Sequence, residues 1–313
     1  MAAPPLRQSA EELAARLPAL VVAAERVAVT VAQGVHGRRR VGQGEAFWQF
    51  RRYEMGDAMG RIDWRQTAKR ERVFVRETEW EASQTVYVWR DASPSMRWRS
   101  SDALPEKGHR VDILTLALIS LLVRGGERTA LIGEDLRPSA GRGAISRFAE
   151  RIVRGRDGPG LPPAAPLPRH SQVVLVGDFL SPLPEVDAAF RAIAGRGVKG
   201  HVMQVTDPAE EDLPYTGRTR FEGLEDEGHA LIPRVESVRE DYQRRFKEHR
   251  AGLADIARAV GWTFMTHTTE HTAELALLTL YQVLAHGADA LSPEALRPDA
   301  QRSGAGHEPE TLA

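Results

Sequence analysis

The sequence predicts an α/β fold: an open, mainly parallel β-sheet with helices on both faces. Three observations carry this. From residue 84 onward, short apolar or β-branched runs alternate with helical patterns of ten or more residues. The run 173–177 is apolar without interruption, as expected of a central strand buried on both sides. Glycine- and proline-rich stretches, Gly125 with Gly126 and the segment 154–169, separate these units.

Taken in order, residues 10–33 read as a helix, with Ser9 as cap, Glu11 and Glu12 in the first turn and Pro18 as a break. Residues 34–83 change character. They hold Arg38, Arg39 and Arg40, the aromatics Phe47, Trp48, Phe50, Tyr53 and Trp64, and several glycines, a pattern of short strands and turns in which 72–77 is a strand and Phe47, Trp48, Phe50 and Trp64 form a small core. Strands are expected at 85–89, 128–133, 173–177, 199–206 and 262–267. Helices are expected at 109–124, 144–153, 185–194, 236–260 and 270–284. Residues 208–235 read as an irregular insert with a hairpin between Phe221 and Ile232. The domain reading is an N-terminal helix and arginine- and aromatic-rich β unit over 1–83, an α/β domain over 84–286, and a disordered tail over 287–313.

Composition narrows the chemistry. The chain has 313 residues, no cysteine and a net charge of −1. Disulfides, thiolate metal sites and cysteine nucleophiles are excluded, and there is no global charge argument for nucleic acid. No apolar run approaches the roughly 20 residues of a membrane span, and no secretory signal pattern opens the chain, so a cytoplasmic location is the expectation.

In open α/β sheets ligands bind beyond the carboxyl ends of the strands, where the strand order reverses. Two acids follow predicted strands: Asp91, in the loop Asp91-Ala92-Ser93-Pro94-Ser95, and Asp178, after the run 173–177. Asp91, Ser93, Ser95 and Asp178 offer only hard oxygen donors, which suits Mg²⁺ or Mn²⁺. The alternative for the same residues is turn and capping chemistry.

Asp91-x-Ser93-x-Ser95 followed by a helix, with an apolar strand ending in Gly177-Asp178, resembles the metal-ion-dependent adhesion site of a von Willebrand factor A-type domain. Upstream, Gly42-x-Gly44-Glu45-x-Phe47, then Phe50-Arg51-x-Tyr53-x-x-Gly56-Asp57, Arg61-Ile62-Asp63-Trp64, Ala68-Lys69-Arg70 and Val75-Arg76-Glu77, resembles the core signature of domain-of-unknown-function family 58. The resemblance spans about residues 34–285. It implies a von Willebrand A-like domain with an N-terminal β-rich addition, acting without catalysis as an adaptor or assembly factor beside a MoxR-type AAA+ ATPase. It further implies Mg²⁺ or Mn²⁺ at Asp91, Ser93, Ser95 and Asp178, with the last coordination position left to a partner's carboxylate. Many relatives carry N-terminal membrane helices that are not evident here, which points to a soluble adaptor. Sites of this type add a threonine from the intervening loop. Residues 136–146 hold none, so Ser139 and Ser146 are the candidate substitutes. Arg51, Tyr53, Gly56, Asp57, Arg61, Asp63 and Trp64 are assigned to partner binding or to structure.

Other readings compete. A metal-dependent phosphate hydrolase could use Asp91 and Asp178, but Ser93 stands where an aspartyl phosphatase places its second acid. The basic segment 38–72 could bind nucleic acid, but its arginines are interleaved with Glu45, Glu54, Asp57, Asp63 and Glu71, which favours ion pairing. His267-Thr268-Thr269-Glu270-His271 spells H-x-x-E-H, yet it straddles a strand end and a helix start, with Thr269 as the expected cap, so zinc hydrolysis is not expected. No phosphate loop and no G-x-S-x-G elbow are present, and no catalytic residue is expected.

Overall fold

Strands that are apolar on both sides need a helical layer on each face, and the sheet of this protein has both. The computed structural model describes residues 85–286, apart from 134–135, 142, 156, 170, 196 and 225–227. Before them it describes 22, 24, 26, 28–29, 31–32, 41–53, 62, 64–68 and 73–79. In the N-terminal part, β1 (Val41–Arg52) pairs antiparallel with β2 (Phe74–Glu79), and a short helix α1 (Trp64–Thr67) lies between them in sequence. Phe74 N–H donates to Thr67 Oγ1, and Ile62 bridges to the buried Val75, which ties the intervening segment to β2.

The main sheet holds β3 (Thr85–Arg90), β4 (Arg128–Leu131), β5 (Gln172–Gly177), β6 (Lys199–Thr206) and, after the hairpin β7 (Thr219–Glu222) and β8 (His229–Ile232), β9 (Thr263–Thr268). Its order is β4-β3-β5-β6-β9 and every pairing is parallel. The chain runs outward from β3 to β4 and then crosses back to β5. The reversal therefore falls between β3 and β5, and the crevice beyond their carboxyl ends is where such sheets take ligands. The fold is the open parallel sheet with helices on both faces that the sequence predicts.

The helices are α2 (Lys107–Arg124), α3 (Gly143–Arg154), α4 (Leu183–Ala194), α5 (Pro208–Asp212), α6 (Arg239–Ala259) and α7 (Ala273–His286). Alternation along the strands sorts them into layers. Val86, Val88, Val174 and Val176 share one buried cluster with α2, α3 and α7. Tyr87, Trp89, Val173 and Leu175 share another with α4, α6 and Trp262. Helix α2 is apolar nearly all round because it is a central helix, and no described helix is long and apolar enough to cross a membrane. Ala24, Ala28 and Val31, at the helical positions described within 22–32, belong to the α2–α7 cluster. That helix is thus part of the main core, although the sequence groups it with the N-terminal β unit.

Several expectations need correction. Residues 208–212 form helix α5 rather than an irregular insert, because Asp207 and Glu210 make a reciprocal capping box around Pro208. Thr269 does not cap α7. The helix begins at Ala273, and the Thr269 N–H extends the sheet by donating to Thr206 O. Trp64 is 66 % exposed and is not a core residue. The Ser9 cap, the Pro18 break, the tail over 287–313 and the side chains of Phe47, Trp48 and Phe50 lie outside the described residues.

Gly200 in β6 faces the indole of Trp262, which is anchored by its Nε1–H donating to Val198 O. A Cβ at residue 200 would fall 2.0 Å from the ring. Gly200→Ala is expected to cost about 2–3 kcal/mol, read as a lower urea midpoint. An unchanged midpoint would mean that Trp262 does not pack on β6.

Candidate metal centre at the switch point

The site begins where β3 ends. Asp91 N–H continues the ladder by donating to Val176 O on β5, which fixes the carboxylate beside that strand's end. Asp91 Oδ1 accepts from the Ser93 N–H (2.9 Å) and the Ser93 hydroxyl (2.7 Å). Met96 N–H donates to Ser93 O, and the 3₁₀ turn Pro94–Arg97 that follows brings Ser95 back alongside. Ser95 Oγ lies 3.0 Å from Ser93 Oγ and donates to Asp178 Oδ2 at 2.7 Å. Asp91, Ser93, Ser95 and Asp178 are thus gathered in one chain of contacts. Gly177 makes room for it, since a Cβ there would sit 2.7 Å from Asp91 Cβ and 2.9 Å from Asp91 Oδ2.

Two cationic side chains complete the setting. Lys107, at the start of α2, is fully buried, and its Nζ contacts Asp178 Oδ2 (2.9 Å) and Glu210 Oε1 (2.5 Å). Glu210 Oε2 accepts from Asp207 N–H, while Asp207 accepts from Ala209 and Ser100 N–H groups. On the backbone side, Gln204 donates to Asp178 O and accepts from Arg250, which also pairs with Glu211 (2.5 Å). Lys107, Glu210, Gln204 and Arg250 were not singled out from the sequence. The Asp207-Pro208-Ala209-Glu210 capping signature directly after an apolar strand was the one legible pointer among them.

The electrostatics leave the cluster short of positive charge. Burial, reinforced by the Asp178 charge, pushes the Asp91 carboxyl up from its ordinary 3.8 to about 7. Asp91 Oδ2 is buried without a hydrogen-bond partner. Each serine hydroxyl has one proton, and each is spent on a carboxylate. The 3.0 Å contact between the two oxygens therefore has no proton of its own. Either a proton on Asp91 or a cation between the oxygens relieves it. The spacing suits a cation: cis ligands of an octahedral Mg²⁺ at 2.0–2.1 Å stand about 3 Å apart. The residues present fit a hard divalent ion, with Ser93 and Ser95 as the hydroxyl ligands and Asp91 and Asp178 as the flanking acids.

The third-loop substitutes are not brought to this site. Ser139 bridges to Thr129 on the edge strand β4, near that strand's start, and Ser146 is exposed on α3. Over the serine loop lies instead the glycine-containing segment 158–160. Gly158 N–H donates to Ala92 O, and Gly160 abuts Ser93. Beside Ala92 a cleft of about 360 Å³ opens, lined by Trp89, Arg90, Ile132, Ile152 and Pro159. Arg90 is committed to Ile152 O, Gly155 O and Asp112.

Of the remaining candidates, Arg51 lies in β1 opposite Val75, and Tyr53 N–H donates to Val73 O. Gly56, Asp57, Arg61 and Asp63 lie outside the described residues, as do Arg38, Arg39, Arg40, Lys69, Arg70 and Arg72 of the basic segment. His267 lies in β9 and His271 in the bend between β9 and α7. Arg110 contacts the His267 ring at 3.0 Å, and burial holds His267 down to about 4. No cluster of three or more His, Asp or Glu side chains with metal-ligating geometry occurs among the described residues, so the hydroxyls are essential to the metal reading.

The Asp91 shift has a testable sign. The native carboxyl holds its proton up to about pH 7 and the unfolded one only to about 4, so this group makes stability fall as pH rises between those values. His201 and His267, each lowered to about 4 by burial, act oppositely below pH 6.5. Chelated wild type compared with Asp91→Asn isolates the carboxyl. The wild type is expected to lose stability relative to the variant between pH 5 and 8, of the order of 1–3 kcal/mol, by chemical denaturation. Parallel pH profiles would refute the shift.

The family model described as "Protein of unknown function DUF58" matches residues 49–252. Uncharacterized protein Rv1480 of Mycobacterium tuberculosis (strain ATCC 25618 / H37Rv) and uncharacterized protein Mb1516 of Mycobacterium bovis are each 25 % identical over 282 residues, covering 83 % of this chain and 86 % of theirs. Among solved structures, an aerotolerance-related membrane protein from Bacteroides fragilis is 17 % identical with a TM-score of 0.40, covering 64 % of this chain and 98 % of that one. BatB from Bacteroides thetaiotaomicron, a conserved hypothetical protein, is 15 % identical with a TM-score of 0.34, covering 65 % and 99 %. The matched segment takes in β2, the whole serine loop, Asp178 and most of α6, and with it the chain belongs to the DUF58 family.

Proposed function

We propose that this protein is a non-enzymatic adaptor that docks protein partners through a divalent ion held by Asp91, Ser93, Ser95 and Asp178. The observation that carries the reading is the serine pair: two hydroxyl oxygens 3.0 Å apart whose protons are both engaged by carboxylates. Bound there, Mg²⁺ or Mn²⁺ would supply a hard Lewis-acidic position for an incoming carboxylate. The chain's own residues do the rest. Asp91 and Asp178 orient the hydroxyls, Gly177 admits the Asp91 carboxylate, and the cleft beside Ala92 offers an apolar seat for a residue flanking the partner's acid.

The engagement of both hydroxyls supports recognition over turnover at the serines. The two hydroxyls are proton donors to acids rather than nucleophiles next to a base, and Asp91 Oδ1 is occupied by Ser93. The reading therefore favours recognition over phosphate hydrolysis. The family resemblance adds a partner class, an AAA+ ATPase of the MoxR type, as part of the same proposal.

The test is an affinity capture of the tagged chain from its host lysate, divided between Mg²⁺ and EDTA and read by mass spectrometry, with Asp91→Ala in parallel. An AAA+ ATPase retained in Mg²⁺ and reduced at least about tenfold by chelation or by the substitution is expected, equivalent to losing roughly 1.4 kcal/mol or more of binding. Equal retention in all arms would sink metal-dependent docking. Absence of any ATPase would sink the partner assignment.

A further inference from the structure

One oxygen of the candidate centre already has a cation. Asp178 Oδ2 accepts from Ser95 on one side and from the Lys107 ammonium on the other. The Lys107 side chain is 1 % exposed, and its ammonium also reaches Glu210. A lysine is an expensive choice here. It is wholly removed from water, and it stands in the first turn of α2, where the helix dipole disfavours positive charge. A position serving packing alone would be filled by a residue of similar length without the charge, such as methionine. The carboxylates of Asp178 and Glu210 nevertheless outweigh burial and hold the Lys107 ammonium firmly protonated.

Resting on the divalent-ion reading, we propose that Lys107 is a resident cation that sets the divalent affinity of the site. It neutralises one of the acids a hard ion would use and keeps Asp178 Oδ2 engaged, so a divalent ion has to draw mainly on Asp91 and the two hydroxyl oxygens. Glu210 is the counterweight. It is anchored on α5 through Asp207 and draws part of the ammonium's hydrogen bonding away from Asp178. The site is thereby kept weak for free Mg²⁺, so that occupancy depends on what a bound partner adds.

The experiment is Mn²⁺ binding to the full chain by titration calorimetry and electron paramagnetic resonance, with melting temperature measured with and without Mg²⁺. The proteins are wild type, Lys107→Met, Glu210→Gln and Asp91→Ala. Removing a unit positive charge this close is expected to tighten Mn²⁺ in Lys107→Met by at least about tenfold. Mg²⁺ should also raise the melting temperature of this variant more than that of wild type. Glu210→Gln should bind Mn²⁺ more weakly than wild type, because the ammonium then bears on Asp178 alone. Lys107→Met binding with wild-type affinity, or more weakly, overturns the proposal. Should that variant fold only with Mg²⁺ present, the proposal is supported. Should it not fold at all, unchanged affinity in Glu210→Gln overturns it and weaker affinity supports it. The outcomes separate the two readings. Binding in wild type that is lost in Asp91→Ala but unchanged in Lys107→Met removes only the role of Lys107. Absence of Mn²⁺ from wild type and Lys107→Met alike removes the divalent site together with it.

Discussion

The buried contact of Lys107 with Asp178 and Glu210 is the interaction on which the rest of this site depends. It joins three elements: the start of α2, the end of β5 and the short helix α5. Breaking a buried pair of this kind by removing one partner typically costs about 3–5 kcal/mol, because the remaining charges are left without compensation. The consequence is directional. With Asp178 Oδ2 held in place, the Ser95 hydroxyl has a fixed acceptor, and its own oxygen is then held beside Ser93. Ser93 in turn gives its proton to Asp91. A single ammonium thus orders a row of four polar side chains.

The frame of this arrangement was legible in the sequence, and its charge balance was not. The uninterrupted run 173–177 declared a strand buried on both faces, and Asp91 and Asp178 could be placed at strand ends by counting from such runs. Their pairing across the switch point follows from the parallel order of the sheet. Lys107 was invisible for a physical reason. In the string Pro105-Glu106-Lys107-Gly108 it reads as a solvated charge at a helix start, and burial of a lysine is decided by acids more than seventy residues away. Trp64 misled in the opposite way. An aromatic among aromatics suggests a core, yet its neighbours leave it two-thirds exposed. The third-loop serines failed because composition says which hydroxyls exist, while only the path of the chain says that Ser139 is held at the sheet edge.

Asp178 is braced from its main chain as firmly as from its side chain. Gln204 holds its carbonyl and passes the connection to Arg250 on α6, where Glu211, Thr206 and Thr268 close the network. Burial alone would raise the Glu211 carboxyl, but Arg250 and the two hydroxyls outweigh it and hold Glu211 ionised. The next residue, Phe179, sits at φ 51° with its side chain fully buried, and its carbonyl accepts from His249 on the same helix. A non-glycine residue in that region stores roughly 1–3 kcal/mol and persists only where its surroundings over-determine it. Here the surroundings are α6 and the aromatic contacts of Phe179 with Trp89 and Phe190. The long charged helix is thus more than a cover for the sheet, because two of its residues brace the consecutive carbonyls of Asp178, through Gln204, and Phe179.

This rigidity bears on what the centre can do. A general acid or base works by gaining and losing a proton within reach of a substrate, and it needs an acceptor left open for that purpose. In this cluster the proton count is already closed apart from one deficit, the contact between the Ser93 and Ser95 oxygens beside a carboxyl poised near neutrality. A proton and a divalent ion are alternative ways to fill that deficit, and they differ in what they leave on the surface. A proton on Asp91 is buried with the residue and offers nothing to a partner. A divalent ion seated on the hydroxyls, beside the partly exposed Ser95, would keep coordination positions facing outward. The same residues would then present two different surfaces according to which cation is present. A docking site can use that difference directly.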